Sequence, residues 1–267
     1  MTLDVRAVDT IAQANAAMTG SAKYCGGGTL LMREVNYGEH QFDRLIISND
    51  AALIDIQVQT EQIQLGAGVT MSMILQHPEL RFLTEAAQSV GGPAIRNMAT
   101  IGGNLFAPRP YGDMGTALLA LDAKINLASG QQLTIDDFYT QQHTGSDIVA
   151  SITIPKPQSG DFRYLKVSRV KPGGVSLITI AACLNRQSGR IGNARIAFGG
   201  MAPTPIRATA AEQALQGAGL DEAGIERCLA SCTDGMSPDD DSLASAWYRL
   251  EVAPVYLKRL LLQRSDY

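Results

Sequence analysis

The sequence predicts an α+β protein in two domains. Three observations carry that reading. Strand-like and helix-like runs are mixed, yet neither of the two glycine-rich segments reads GxGxxG or opens a βαβ unit, so a doubly wound parallel sheet is disfavoured. An apolar strand at 148–154 is stopped by Pro155 and Pro157 and followed by Gln158-Ser159-Gly160, a linker composition. The last sixty residues are helical in pattern, unlike the strands before them. The expected division is 1–157, in subdomains of about 1–55 and 56–157, and then 161–267.

The elements follow in order. Thr10 to Met18 is Ala-rich and helical, with Ile11, Ala14 and Met18 near one face and Gly20 closing it. Ala22-Lys23-Tyr24-Cys25 reads as a short strand running into Gly26-Gly27-Gly28-Thr29 and a helix-like Leu30 to Arg33. Leu45 to Ile47, Ile54 to Gln57 and Gln62 to Leu65 read as strands. Residues 66–70 lead into a helix through Gln76. Thr84 to Val90 is a helix with Thr84 as N-cap, broken by Gly91-Gly92-Pro93. Thr100 to Asn104 reads as a glycine-dense loop, and Asp113 to Leu121 as a helix with Asp113 as N-cap. Beyond the linker come strands at 163–167, 175–184 and 194–198. Helices at 208–215, 221–233 and from Ser242 onward complete the chain. In the last, Leu243, Trp247, Leu250, Leu257, Leu260 and Leu261 form an apolar stripe around an interior Pro254.

Composition removes several function classes. With 267 residues, 45% hydrophobic, the chain buries a sizeable core. A formal net charge of -4 with no basic run disfavours nucleic acid and anionic membrane as partners. No stretch approaches the roughly 20 apolar residues of a membrane span. Met1 to Thr10 lacks the apolar segment of a leader, so a cytoplasmic location is expected. Cys25, Cys183, Cys228 and Cys232 are too scattered for a disulfide framework. Cys228 and Cys232 read as small, half-buried helix residues, not as half of a zinc site. His40, His77 and His143 show no ligand spacing and read as surface or loop residues. No metal site is expected, and no catalytic nucleophile or acid–base set stands out.

The chemical signal lies in the two glycine segments. Glycine lets backbone N–H groups converge on an anion, because no Cβ intervenes and positive φ is allowed. Thr29, Thr100 and Asn104 add side-chain donors. One such loop suits one phosphate, and two suit a pyrophosphate held from both sides. Taken singly, each reads more readily as a plain turn or bulge than as a phosphate site.

In order along the chain, strand, Gly-Gly-Gly-Thr-Leu-Leu, Glu85-Ala86-Ala87, Arg96 to Asn104 and Asp113 resemble the FAD-binding medium subunit of the xanthine dehydrogenase and carbon monoxide dehydrogenase family. Residues 116–123, Tyr164-Leu165-Lys166 and Trp247-Tyr248-Arg249 extend the resemblance over nearly the whole chain. It implies a two-part FAD-binding domain of the vanillyl-alcohol-oxidase (PCMH) type plus a smaller α+β C-terminal domain. It also implies the site. Lys23, Tyr24, Cys25, Gly26, Gly27, Gly28, Thr29, Leu30 and Leu31 wrap the FAD pyrophosphate, and Thr100, Gly102, Gly103 and Asn104 meet it from the second loop. Asp113 binds at the ribose or nearby. Leu31 and Phe106 lie near the isoalloxazine, while Val149 and Lys166 touch the cofactor from the domain junction. Asp113 as a cap and Lys166 as a solvated strand lysine are the plainer readings of those two residues. Cys25, Gly26 in place of a usual alanine, and the run Phe106 to Tyr111 depart from the family pattern.

The function implied is electron transfer through FAD. Molybdenum cofactor and iron–sulfur clusters are expected in a large and a small partner subunit, in a dimer of heterotrimers. Met32, Tyr37 and Val149 are expected as an apolar patch beneath a partner. A self-sufficient flavin oxidoreductase and a scaffold that has lost FAD are the alternatives.

Overall fold

A computed structural model describes residues 3–141, 147–170 and 174–263. It contains three sheets in chain order. The first unit runs β1 (Asp4–Val8), α1 (Ile11–Ala17), β2 (Ala22–Tyr24), α2 (Leu31–Tyr37) and β3 (Arg44–Ser48). Its strands are all parallel in the order β1-β3-β2. Thr10 caps α1 in a full capping box with Gln13. The sequence reading missed β1 because four of its five residues are exposed and carry no burial alternation. Helix α2 is longer than expected and buries no residue. The buried cluster of this unit is small, Ala14, Ala22 and Ile46 packed with Ile148 of the second unit.

The second unit holds β4 (Ile56–Val58), β5 (Gln62–Gly66), α3 (Met71–Gln76), α4 (Thr84–Ser89), α5 (Pro93–Arg96), α6 (Ile101–Leu105), α7 (Asp113–Ala120), β6 (Lys124–Leu127), β7 (Gln132–Thr134), α8 (Ile135–Thr140) and β8 (Val149–Pro155). Its five antiparallel strands run β4-β5-β8-β6-β7. Three expectations change here. Thr84 is not a cap, because a 3₁₀ segment over Pro78–Leu83 leads directly into α4. The segment around Gly102 is a helix, α6, capped by Thr100. Strands β6 and β7 and helix α8, unread in the sequence, complete the sheet. Every residue of α7 is buried.

The third unit comprises β9 (Phe162–Val167), β10 (Ile178–Gln187), β11 (Arg190–Gly199), β12 (Ile206–Arg207), α9 (Thr209–Leu215), α10 (Glu222–Ala230) and α11 (Ala246–Leu262). The sheet is antiparallel, β12-β11-β10-β9. Successive strand residues face opposite sides. Ile178, Ile180, Ala182 and Leu184 pack under the C-terminal helices. Ala181 and Ala197 join the core of the second unit instead. Helix α7 packs on this second face, which makes β10 apolar on both sides. In α11, Ala253, Leu257, Leu260 and Leu261 are buried around Pro254, but Trp247 is 69% exposed. Arg249 takes the inward position of that first turn. It donates to the carbonyls of Leu177, Asp239 and Ala244 and to Asp241. Cys228 and Cys232 are fully buried, and Cys232 lies past the end of α10.

Candidate functional site

A cavity of about 1130 Å³ lies among the three units. That exceeds the roughly 300–1,000 Å³ of ordinary small-ligand pockets. All seventeen residues named from the sequence line it: Lys23 to Leu31, Thr100, Gly102, Gly103, Asn104, Phe106, Asp113, Val149 and Lys166.

The first loop is held open by its neighbours. Strand β2 ends where the Cys25 N–H donates to the Ile46 carbonyl at 2.8 Å. From there the chain passes directly over the residue that precedes Ala99. A Cβ on Gly27 would lie 1.8 Å from the Met98 carbonyl oxygen. Gly28 turns at φ +70, the left-handed region that glycine adopts without penalty. Among the described residues, the backbone N–H groups of Gly26, Gly27, Gly28, Thr29, Leu30 and Leu31 have no acceptor. Successive free amides at a turn form a concavity that binds anions. Burial pushes the Cys25 thiol up, so it stays protonated in this loop.

The second segment works differently from the sequence reading. The Ile101 and Gly102 N–H groups donate to Val69 and Ala67 at 2.9 Å each. The Gly103 N–H reaches Thr100 Oγ1 at 3.1 Å, and that of Asn104 reaches the Thr100 carbonyl at 3.0 Å. Its amides are therefore already engaged. Gly102 lacks a side chain because a Cβ would lie 2.7 Å from that of Ala67. What this segment offers the cavity is side chains, the Thr100 hydroxyl and the Asn104 amide. Asn104 Oδ1 accepts from the Met114 N–H at 2.9 Å, so its Nδ2 is the end left for a ligand.

Asp113 is not the cap of α7. Gly112, at φ +91, holds the cap position, and Asp113 is the first helical residue. Its buried carboxylate faces the third unit. Lys166 Nζ donates to Asp113 Oδ2 at 2.9 Å and to the Ser89 carbonyl at 2.7 Å. Ser176 Oγ donates to Asp113 Oδ1. Ser89 Oγ lies 3.2 Å from the same carboxylate and 3.1 Å from the Tyr164 hydroxyl. The alternation of β9 explains the meeting: Phe162, Tyr164 and Lys166 share the face toward the second unit. Lys166 is thus a half-buried ion-pair partner and not a solvated lysine. Burial first, then the Asp113 charge, push the Tyr164 hydroxyl well above its usual range. It remains a neutral donor or acceptor.

At the rim, Leu31 is half-buried and Phe106 is 37% exposed, edge-on to Phe138 at 5.4 Å between centroids. Of the expected apolar patch, Met32 and Tyr37 are exposed. Val149 is buried, because the start of β8 sits in the sheet against the core. Arg33, Tyr111, Ser89, Gly174, Val175 and Pro203 to Pro205 also line the cavity, and sequence reasoning missed them. They come from helix ends and loops with no motif of their own. Tyr164 was quoted for its resemblance, and its spacing of two from Lys166 was the available signal. His40 is half-buried against Phe42, His77 accepts from the Glu79 N–H, and His143 lies outside the described residues. Among the described residues no group of His, Cys, Asp and Glu is placed to hold a metal, and no helix is long and apolar enough to cross a membrane.

Comparison with known proteins adds the following. Residues 3–157 match the FAD binding domain in molybdopterin dehydrogenase. Residues 163–264 match the CO dehydrogenase flavoprotein C-terminal domain. The chain is 29% identical over 258 residues to the putative xanthine dehydrogenase FAD-binding subunit of Escherichia coli (strain K12), covering 90% of this chain and 87% of that one. It is 27% identical over 219 residues to the carbon monoxide dehydrogenase medium chain of Afipia carboxidovorans, covering 78% and 76%. Among solved structures it superposes on a chain of reconstituted CO dehydrogenase from Oligotropha carboxidovorans with a TM-score of 0.90, at 25% identity and 99% coverage of both chains.

Proposed function

This chain belongs to the family of FAD-binding subunits of molybdopterin dehydrogenases, and from that premise we propose how it performs its electron-transfer role. It accepts electrons from iron–sulfur clusters of a small partner subunit and delivers them to NAD, oxygen or another acceptor. Substrate is oxidised at a molybdenum cofactor in a large partner subunit, in a dimer of heterotrimers. Residues 1–157 form the FAD-binding domain, in subdomains of about 1–55 and 56–157, and residues 161–267 the C-terminal domain.

FAD, when bound, supplies the redox chemistry, and the chain supplies binding, orientation and electrostatics. The observation that carries this reading is the run of six acceptor-free amides, Gly26 to Leu31, on the wall of a cavity of dinucleotide size. These amides hold the pyrophosphate from one side, with Lys23, Tyr24 and Cys25 leading into the turn. The Thr100 hydroxyl and Asn104 Nδ2 meet it from the other side, and Gly102 and Gly103 let that segment sit close. Lys166 spends two of its three ammonium donors on Asp113 and Ser89, which leaves one for the cofactor. Asp113 serves through that lysine and through the cavity wall it forms. Leu31, Phe106 and Val149 give the ring an apolar bed.

The test is made on the purified chain. Its visible spectrum should show oxidised flavin at one FAD per chain, bleached by an artificial electron donor. Heterocycles and aldehydes should leave it oxidised until the large and small subunits are added. Turnover of an organic substrate by the isolated chain would replace this reading with a self-sufficient oxidoreductase. A chain that takes up no FAD would be a scaffold.

A further inference from the structure

Packing is sparse behind the amide-lined loop. The buried cluster of Ala14, Ala22 and Ile46 is completed by Ile148 of the second unit, and α2, the helix directly behind the loop, buries no residue of its own. One side-chain hydrogen bond joins α2 to another element among the described residues. Arg33 NH1 donates to the Tyr111 hydroxyl at 3.2 Å. Both residues line the cavity and both are exposed, so they stand where it meets solvent. They come from opposite walls. Arg33 lies on α2, and Tyr111 lies on the segment between α6 and α7.

The two anchors differ in firmness. The Tyr111 segment is tied down on its far side, where Arg109 pairs with Asp239 of the third unit, and internally by Tyr111 N–H to the Pro108 carbonyl at 2.9 Å. The Arg33 guanidinium is held behind by the Tyr37 ring, 6.0 Å from its centroid. A firm wall and a loosely packed wall are therefore bridged by one exposed hydrogen bond.

We propose that Arg33 and Tyr111 form a clasp across the cavity mouth that slows the release of bound FAD without contributing to the fold. This rests on the reading of the cavity as the FAD site. A ligand held on the Gly26 to Leu31 amides leaves by separation of α2 from the Tyr111 segment, and that separation breaks the clasp. An ordinary hydrogen bond changes such a rate by about 2- to 10-fold.

The experiment is FAD release from the full chain, followed by stopped-flow fluorescence on mixing with an excess of a flavin-trapping apoprotein. Tyr111→Phe keeps the ring and removes only the hydroxyl, and it should speed release by about 2- to 10-fold. Arg33→Ala should speed it similarly, and the double variant no more than either single one, because they break the same bond. Arg33→Lys should recover part of the retention. Thermal unfolding of the apo forms should coincide with wild type. Unchanged release in Tyr111→Phe, or additive effects in the double variant, overturns the clasp. Wild-type chain that takes up no FAD overturns the flavin reading and the clasp together, so the two failures are told apart by the flavin content before mixing.

Discussion

At residue 27 the requirement for glycine comes from the protein and not from the ligand. Its missing Cβ would collide with the Met98 carbonyl, a backbone atom that has no rotamer to move. Gly26 is more forgiving, since a Cβ there would lie 3.1 Å from the Thr100 hydroxyl. The two positions are therefore separable. Gly27→Ala should push the amide-lined loop off the second segment and lower FAD affinity at least about tenfold, which is 1.4 kcal/mol. Gly26→Ala should cost less. Flavin fluorescence titration of the apo chain measures both, and equal affinities for the two variants would contradict the seating of one loop on the other. The glycines were conspicuous in the sequence, and their place on the cavity wall was legible. Their partners were not. Met98 against Gly27 and Ala67 against Gly102 are contacts between segments distant in sequence, and no local pattern announces them.

Helix α7 fits closely against its neighbours on two sides. A Cβ on Gly115 would lie 2.1 Å from the Tyr139 hydroxyl of α8, and one on Gly199 would lie 2.2 Å from Thr179 Oγ1 and 2.5 Å from Thr116 Oγ1. The helix is thus wedged between α8 and the paired strands β10 and β11. Gly115→Ala should lower stability by about 1–3 kcal/mol through overpacking. Tyr139→Phe removes the offending oxygen, so the double variant should recover most of that loss. Urea unfolding of the four proteins decides it, and simple additivity would place the strain elsewhere. The apolar run of α7 made it readable from sequence, as did the strands whose buried residues alternate. Segment 101–105 was hidden because two glycines lower helix propensity. Its fold comes from the Thr100 cap and from the Ala67 contact, and the latter is tertiary. Strand β6 does alternate, but over four residues the pattern is too short to stand out.

At the scale of the whole molecule, the cavity exists because the third unit closes it. Lys166, Gly174, Val175 and Pro203 to Pro205 are all wall residues from beyond the linker. Among the polar contacts that fasten this wall is the Asp113 carboxylate with Lys166 and Ser176, backed by the Thr116–Thr179 contact at 3.0 Å, while Arg195 and Arg207 pair with Asp136 elsewhere between the second and third units. Both members of the ion pair are largely buried, so each charge is compensated mainly by the other. Lys166→Met would leave the Asp113 charge without its cation and should cost about 3–5 kcal/mol. Asp113→Asn added to it removes the stranded charge while the amide oxygen still accepts from Ser176, so most of the stability should return. If Lys166 also holds the cofactor, as proposed, FAD binding should not return with it, because the ammonium donor not spent on Asp113 and Ser89 is gone from both variants. Two readouts on the same proteins, melting temperature and FAD affinity, therefore separate the fastening of the third unit from the holding of the flavin. Recovery of FAD affinity alongside stability in the double variant would show that Lys166 acts only as a fastener, and the lysine would leave the list of cofactor ligands.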